Sequence, residues 1–243
     1  MRAPPLPLTA NPSKMCGQEE MGVRLMTEPD AAHEAIVDTW RSFGASDYEY
    51  FEKYENPELV AWFWAPASRF RKAFERYLNL DDVLEIASGA GRHSAQIVGR
   101  CRRLTLIDTS VDATALARKR FSSASHVTVT LSPDGKSLPF EKWRFSSVFS
   151  YDSMVHFEPL TVASYIMEVA SVLKPGGRAL LHHSNYSDNP TASFKENPDW
   201  RNFMPKGFVE HVSARAGLTV IEQQTFPWNG NSETDALTVV EKG

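Results

Sequence analysis

A chain of 243 residues, 42% of them apolar, is long enough to bury one α/β core and to carry a modest extra segment. Its formal charge is −4 and it has no Lys/Arg-rich run, so there is no electrostatic footprint for nucleic acid or for an anionic membrane, and neither is expected as a partner. Only Cys16 and Cys101 are present, in unrelated contexts without metal-ligand spacing, which fits a reducing compartment and an expected cytoplasmic location.

The opening Met1-Arg2-Ala3-Pro4-Pro5-Leu6-Pro7-Leu8 is too rich in proline for the apolar helix of a signal peptide, and no later run has the length of a membrane span. Residues 1–26 are expected to form a disordered tail, with Met15, Met21 and Met26 leaving a later start open. From Glu28 the pattern becomes helical: Ala31, Ala35, Ile36, Thr39, Trp40 and Phe43 fall on one face. A second helical stretch starts near Pro57, with Leu59, Val60, Phe63, Trp64, Phe70, Ala73, Phe74 and Tyr77 on its apolar side and Pro66 interrupting it. Residues 27–80 are thus expected to form a helical lid. Its many rings serve either to pack helices onto the main sheet or, for one or two of Tyr48, Tyr50, Tyr54 and Trp64, to face a substrate pocket.

From Asp82 onward strand and helix alternate, the signature of a parallel sheet covered on both faces, and residues 81–243 are expected to be one domain. The pattern predicts strands at 82–88, 103–108, 126–131, 145–151, 177–184, 218–226 and 235–241. Helices are predicted at about 92–101, 112–122, 159–173 and 205–216. Lys174-Pro175-Gly176-Gly177 reads as a helix stop before the fifth strand. Pro227 to Glu233 leaves no room for a helix between the last two strands, so they are expected to pair antiparallel at the sheet edge.

A glycine turn, Ser88-Gly89-Ala90-Gly91, leads out of the first strand, and Glu85 and Asp108 lie in or at the end of the first two strands. In a parallel α/β sheet ligands bind where the strands end, so the turn sits where a nucleoside would be held. A nicotinamide loop wants a third glycine where this chain has Ser94, and it has no place for Glu85. At this point the chain resembles the class I S-adenosylmethionine-dependent methyltransferases, whose first motif is acid-x-Gly-x-Gly-x-Gly. Here it reads Glu85-Ile86-Ala87-Ser88-Gly89-Ala90-Gly91, with Ala87 replacing the first glycine. The resemblance continues through Asp108, Ser132-Pro133-Asp134-Gly135 with Leu138-Pro139-Phe140, and Leu173-Lys174-Pro175-Gly176-Gly177, covering about 82–241.

The resemblance implies a Rossmann-like, seven-stranded, mostly parallel sheet with an antiparallel C-terminal pair, and S-adenosyl-L-methionine as cofactor. It places the cofactor against Glu85, Ala87, Ser88, Gly89, Gly91, Asp108, Thr109, Ser110, Asp134, Gly135 and Tyr151, with Asp108 on the ribose hydroxyls and Glu85 near the amino group. Asp108 reads alternatively as a helix cap, and Asp134 alternatively as a turn residue before Gly135.

The methyl is already activated on the sulfonium, so the protein must hold donor and acceptor in line and take a proton where the acceptor has one. Candidate bases belong at the ends of the fourth and fifth strands, where Asp152, His156, His182 and His183 occur. Strand alternation sends His182 and His183 to opposite faces, so at most one is expected at the pocket. No short metal-ligand spacing occurs among these residues and no metal is expected. The irregular stretch from Tyr186 to Met204 reads as a substrate loop, with Trp200 and Arg201 as candidate contacts besides Tyr54 and Trp64.

The reading is a methyltransferase for a small-molecule acceptor, most simply a hydroxyl of a sugar or secondary metabolite. N-methylation of a small amine or peptide, and a cofactor-binding subunit without activity, are the alternatives. The oligomeric state, monomer or homodimer, is left open.

Overall fold

The computed structural model describes residues 31–45 and 56–243. The expectations for residues 1–26, and for Tyr48, Tyr50 and Tyr54, lie outside the described residues. Helices α1 (Ala31–Ala45), α2 (Pro57–Phe63) and α3 (Arg69–Tyr77) precede the alternating region. There follow β1 (Asp82–Ile86), β2 (Arg103–Asp108), α4 (Val111–Arg120), β3 (Val127–Leu131), β4 (Phe145–Met154), α5 (Pro159–Val172), β5 (Leu173–Ser184), α6 (Lys206–Arg215), β6 (Leu218–Trp228) and β7 (Asn231–Lys242).

The seven strands form one sheet in the order β3-β2-β1-β4-β5-β7-β6. The first five run parallel, while β7 pairs antiparallel with both β5 and β6. The strand order reverses between β1 and β4, and the crevice outside the carboxyl ends there is the expected ligand position of such a sheet. Central strands read as continuous apolar runs because both faces are covered: Val83, Leu84 and Ile86 of β1 are fully buried.

On one face, α5 and α6 pack through Val162, Ile166, Val169 and Val209 against Leu84, Ile86 and Val148. On the other, Phe63, Trp64, Phe70 and Phe74 of the α2–α3 region pack against Val83, Leu104, Phe149 and Leu180. Local chemistry sets the helix starts: Ser68 and Ser110 accept the N–H of Arg71 and Ala113 as N-caps, and Pro57 and Pro159 open their helices.

Four predicted elements differ most. Residues 94–100 form two short 3₁₀ turns, Ser94–Gln96 and Val98–Arg100, in place of an α-helix. His93 and Ser94 are buried, their side chains turned inward to Trp64 and Glu85, and this tightens the segment. Helix α5 does end before Lys174, at Val172, but strand β5 begins already at Leu173: Phe145 pairs with Leu173 and Ser147 with Arg178, so Lys174–Gly177 also forms a bulge inside the pairing. Strands β4 and β7 are longer than predicted, β4 reaching Met154 across a second bulge. Among the described helices before β1, α2 and α3 belong to the core, whereas α1 lies over a cavity at the carboxyl ends of the strands.

Candidate active site

This cavity, of about 580 Å³, opens at the carboxyl ends of β1, β2 and β4, within the ordinary size of a small-molecule or cofactor site. Its wall is built from α1, the turns after β1 and β2, the exit of β4, the start of α5 and the turn at 199–201.

One end of the cavity starts at the turn after β1. Ala87, Gly89 and Gly91 have φ of 55°, 54° and 81°, a left-handed conformation that glycine adopts freely and that costs an L-residue about 1–2 kcal/mol. A Cβ on Gly91 would stand 2.6 Å from the Phe121 ring and 3.0 Å from Leu106, so this glycine serves packing. A Cβ on Gly89 would meet nothing within 4 Å, because that position faces the cavity. Backbone can therefore approach a ligand closely at Gly89.

At the exit of β2, Asp108 accepts the Gly89 N–H at 2.7 Å on one oxygen and the Ser110 N–H at 2.9 Å on the other. Burial raises its pKa, and these amide bonds oppose the rise. A carboxylate accepts about four hydrogen bonds, which leaves capacity for a vicinal diol. Ser110, not Asp108, caps α4 through its side chain. Ala87, Ser88, Thr109, Ser110, Gly135 and Tyr151 also line the cavity.

Two implied contacts sit elsewhere. Glu85 is buried beneath the turn, where its carboxyl accepts the Ser94 hydroxyl, and it does not reach the cavity wall. Burial pushes its pKa up to about 8, so at neutral pH it is mostly uncharged and braces the loop from below. Asp134 folds onto its own turn, taking the N–H of Lys136 and Ser137 and the Ser137 hydroxyl, which is its alternative role. Gly135 alone of that pair lines the cavity.

Helix α1 covers the cavity with His33, Ile36, Val37 and Trp40, the last of these beside His156 and Trp200. His33 is buried and bonded through both nitrogens, Nε2 donating to the Asp134 carbonyl at 2.8 Å and Nδ1 accepting from Thr161 at 2.9 Å. His33 was not among the predicted site residues. Its spacing to Ile36, Val37 and Trp40, on one helical face, was the available signal.

At the acceptor end, Tyr151 is sealed against Phe70, with ring centroids 3.7 Å apart and an 8° interplanar angle, and burial raises its hydroxyl pKa. Asp152 has φ of 58° at the β4 bulge and binds Arg92 Nη2 at 2.7 Å. Arg92 lines the cavity and is a second residue missed from sequence, since an arginine after a turn carries no signature by itself. His156 donates Nδ1–H to the Trp200 carbonyl at 2.7 Å, which leaves its lone pair on Nε2. Burial lowers its pKa to about 4, and the ring stays neutral at physiological pH. Its ring lies 5.0 Å from that of Trp40.

His182 and His183 are fully buried and neither lines the cavity. His182 Nε2 donates to Asp235 at 2.9 Å while Nδ1 accepts the Asp152 N–H at 3.0 Å. His183 bonds the Ser184 carbonyl and Thr238. Alternation along β5 does send them to opposite faces, but both faces are covered there, so both imidazoles are structural in position. Trp64 is also core: it packs on Phe70 and Phe74 and donates Nε1–H to His93 at 3.1 Å. Trp200 and Arg201 do line the cavity, yet the Arg201 guanidinium is 3% exposed and turned to Asp235, with N–O distances of 2.8 and 2.7 Å. Among the described residues, no group of three or more His, Cys, Asp or Glu is placed to hold a metal ion, and no helix is long and apolar enough to cross a membrane.

Residues 83–177 match a family model described as a methyltransferase domain. Geranyl diphosphate C-methyltransferase from Streptomyces coelicolor A3(2), solved with Mg²⁺, geranyl diphosphate and S-adenosyl-L-homocysteine, superposes with a TM-score of 0.66 at 14% identity, over 89% of this chain and 100% of that one. The PH0226 protein from Pyrococcus horikoshii OT3 gives 0.57 at 24% identity, over 82% and 93%. The [4+2]-cyclase SpnF gives 0.58 at 16%, over 71% and 80%, so the fold also carries other chemistry. Identities this low establish the fold, and the domain match adds the family signature on β1 to β5. Residues 83–177 therefore match a methyltransferase domain, set in a fold shared with S-adenosylmethionine-dependent methyltransferases.

Proposed function

We propose that the chain methylates a small molecule, at a hydroxyl of the kind found on sugars and secondary metabolites, with His156 as the base. The observation that carries this reading is one continuous cavity lined both by Gly89 and Asp108, which are hydrogen-bonded to each other, and by a neutral imidazole of fixed tautomer, His156.

S-adenosylmethionine, when bound, supplies a methyl group on a positively charged sulfur. Gly89 and the Asp108 carboxylate would hold its ribose, and Ile36, Val37 and Ala113 offer apolar surface for its base. Helix α1, fastened by His33 to the Asp134 carbonyl and Thr161, forms the roof that excludes water. His156 accepts the hydroxyl proton at Nε2, and its Nδ1–H bond to the Trp200 carbonyl keeps that nitrogen available. The rings of Trp40, Trp200 and Trp228 give the acceptor apolar walls. Of the substrate contacts expected from sequence, Trp200 fits this role directly.

Calorimetric titration with S-adenosylhomocysteine, followed by transfer of labelled methyl into a small-molecule extract of the source cells, tests the reading. Saturable binding and a labelled product whose methyl is lost on ether-specific cleavage are expected. A product labelled on nitrogen would replace the hydroxyl with an amine, and absence of binding would remove the reading altogether.

A further inference from the structure

Asp235 lies outside the cavity, on β7, opposite Ser184 of β5 and Phe226 of β6. It is completely buried, a costly place for a carboxylate unless its oxygens are fully matched by donors. They are matched by two side chains that lead in different directions.

Arg201 grips it with a fork, Nε to Oδ1 at 2.8 Å and Nη2 to Oδ2 at 2.7 Å. The remaining Nη1 donates to the Asp199 carbonyl at 2.9 Å, and the guanidinium lies 4.7 Å from the centre of the Trp228 ring. Asp199 and Trp200 have φ of 50° and 56°, two successive left-handed residues that need an external hold. The Trp200 carbonyl presented by this turn is the one that receives His156 Nδ1–H.

His182 supplies the second direction. Its Nε2–H donates to Asp235, which commits Nδ1 to accept the N–H of Asp152, a third left-handed residue. Asp152 in turn binds Arg92 in the cavity wall. Asp199, which precedes Trp200, and Asp152 are therefore each one side chain away from a single buried carboxylate.

We infer that Asp235 is the positioning residue of the acceptor half of the site, setting Trp200 and His156 through Arg201, and Asp152 and Arg92 through His182. The inference rests on the cavity being the methyl-transfer site. A buried ion pair by itself says little about stability, since well-packed apolar replacements commonly preserve a fold. Position and stability can therefore be separated.

The test compares the wild type with Asp235→Asn, which keeps the side-chain shape, and with Asp235→Leu combined with Arg201→Met, which removes both buried charges. Melting temperature, S-adenosylhomocysteine affinity, labelled-methyl incorporation into the cell extract and ¹⁵N imidazole resonances are recorded for each. The double variant, in which His182 Nε2–H loses its acceptor, is expected to stay folded with a melting temperature lowered by several degrees and to bind S-adenosylhomocysteine within about threefold, while incorporation falls by about a hundredfold. The His156 and His182 resonances are expected to move, although neither residue is substituted. Recovery of the wild-type rate together with stability would show a purely structural pair and overturn the inference. Unshifted His156 resonances would overturn it as well, and that readout needs no acceptor. Absence of S-adenosylhomocysteine binding in the wild type would instead strike the functional reading.

Discussion

The backbone N–H of Gly89 donates to the Asp108 carboxylate at 2.7 Å, so the turn after β1 and the exit of β2 are one hydrogen-bonded unit. Asp108→Asn leaves an amide group facing either the Gly89 or the Ser110 N–H, with donor against donor. Each lost bond to a charged acceptor is worth about 1.5–3 kcal/mol, and cofactor affinity is expected to fall about 10- to 100-fold. Titration with S-adenosylhomocysteine checks this, and an unchanged Kd would remove Asp108 from the cofactor site.

Gly89 and Gly91 should separate binding from folding. An alanine at Gly91 is both left-handed, at φ 81°, and 2.6 Å from the Phe121 ring, so a loss of about 2–4 kcal/mol in stability is expected. Gly89→Val carries the backbone strain but projects into open cavity, so its main effect should be on cofactor affinity. Denaturant melts with and without S-adenosylhomocysteine distinguish the two. A reversed pattern would mean that the cavity at Gly89 is not the cofactor cradle.

Ala87 occupies the left-handed position, φ 55°, where the family motif has glycine. Ala87→Gly removes steric strain of about 1–2 kcal/mol and adds unfolded-chain entropy of about 0.5–1 kcal/mol, for an expected net gain of about 0.5–1 kcal/mol. A lower urea midpoint for the variant would contradict the strain argument.

Glu85 makes stability depend on pH between about 4.5 and 8. Its folded pKa, about 8, lies above the ordinary 4.5, through burial, with Arg92 pulling down and Asp108 pushing up. Between those values the folded state binds more protons than the unfolded chain, so this contribution is fully present below pH 4.5 and is lost as pH rises through 8. The slope is at most about 1.4 kcal/mol per pH unit. Urea midpoints measured across this range should decline for the wild type and flatten for Glu85→Gln; equal slopes would mean Glu85 is ionised in the fold.

His156→Gln is expected to lower turnover by about 10²- to 10⁴-fold with cofactor affinity intact. The wild-type rate should fall as acid protonates His156 near its lowered pKa of about 4, because only the neutral ring accepts a proton. Methyl incorporation at saturating cofactor measures both, and a fully active variant would exclude His156 as the base.

Much of the fold could be read along the chain because its signals are local. Apolar runs bounded by turn residues marked β1, β2 and β4, and Pro227 to Glu233 marked the antiparallel pair. The failures were tertiary in cause. Residues 94–100 carry no proline to forbid a helix, and only the inward pull of His93 and Ser94 on Trp64 and Glu85 tightens them. The cofactor turn was legible for the same reason as the strands, since left-handed backbone selects glycine residue by residue. Glu85 and Asp134 were assigned to the ligand because a carboxylate's sequence position does not reveal whether it faces a cavity or its own turn.

Sequence by itself determined the class of the fold, the glycine turn after β1 and the set of polar residues available at the ends of β4 and β5. Tertiary structure decided which of those residues reach the cavity. It buried His182 and His183 between covered faces and left His156 at the wall. It also brought Asp235, 34 residues from Arg201 and 53 from His182 in the chain, between both. Periodicity encodes which way a side chain leaves its own element. The partner it meets depends on which distant strand is packed beside it, and that is settled only when the sheet closes.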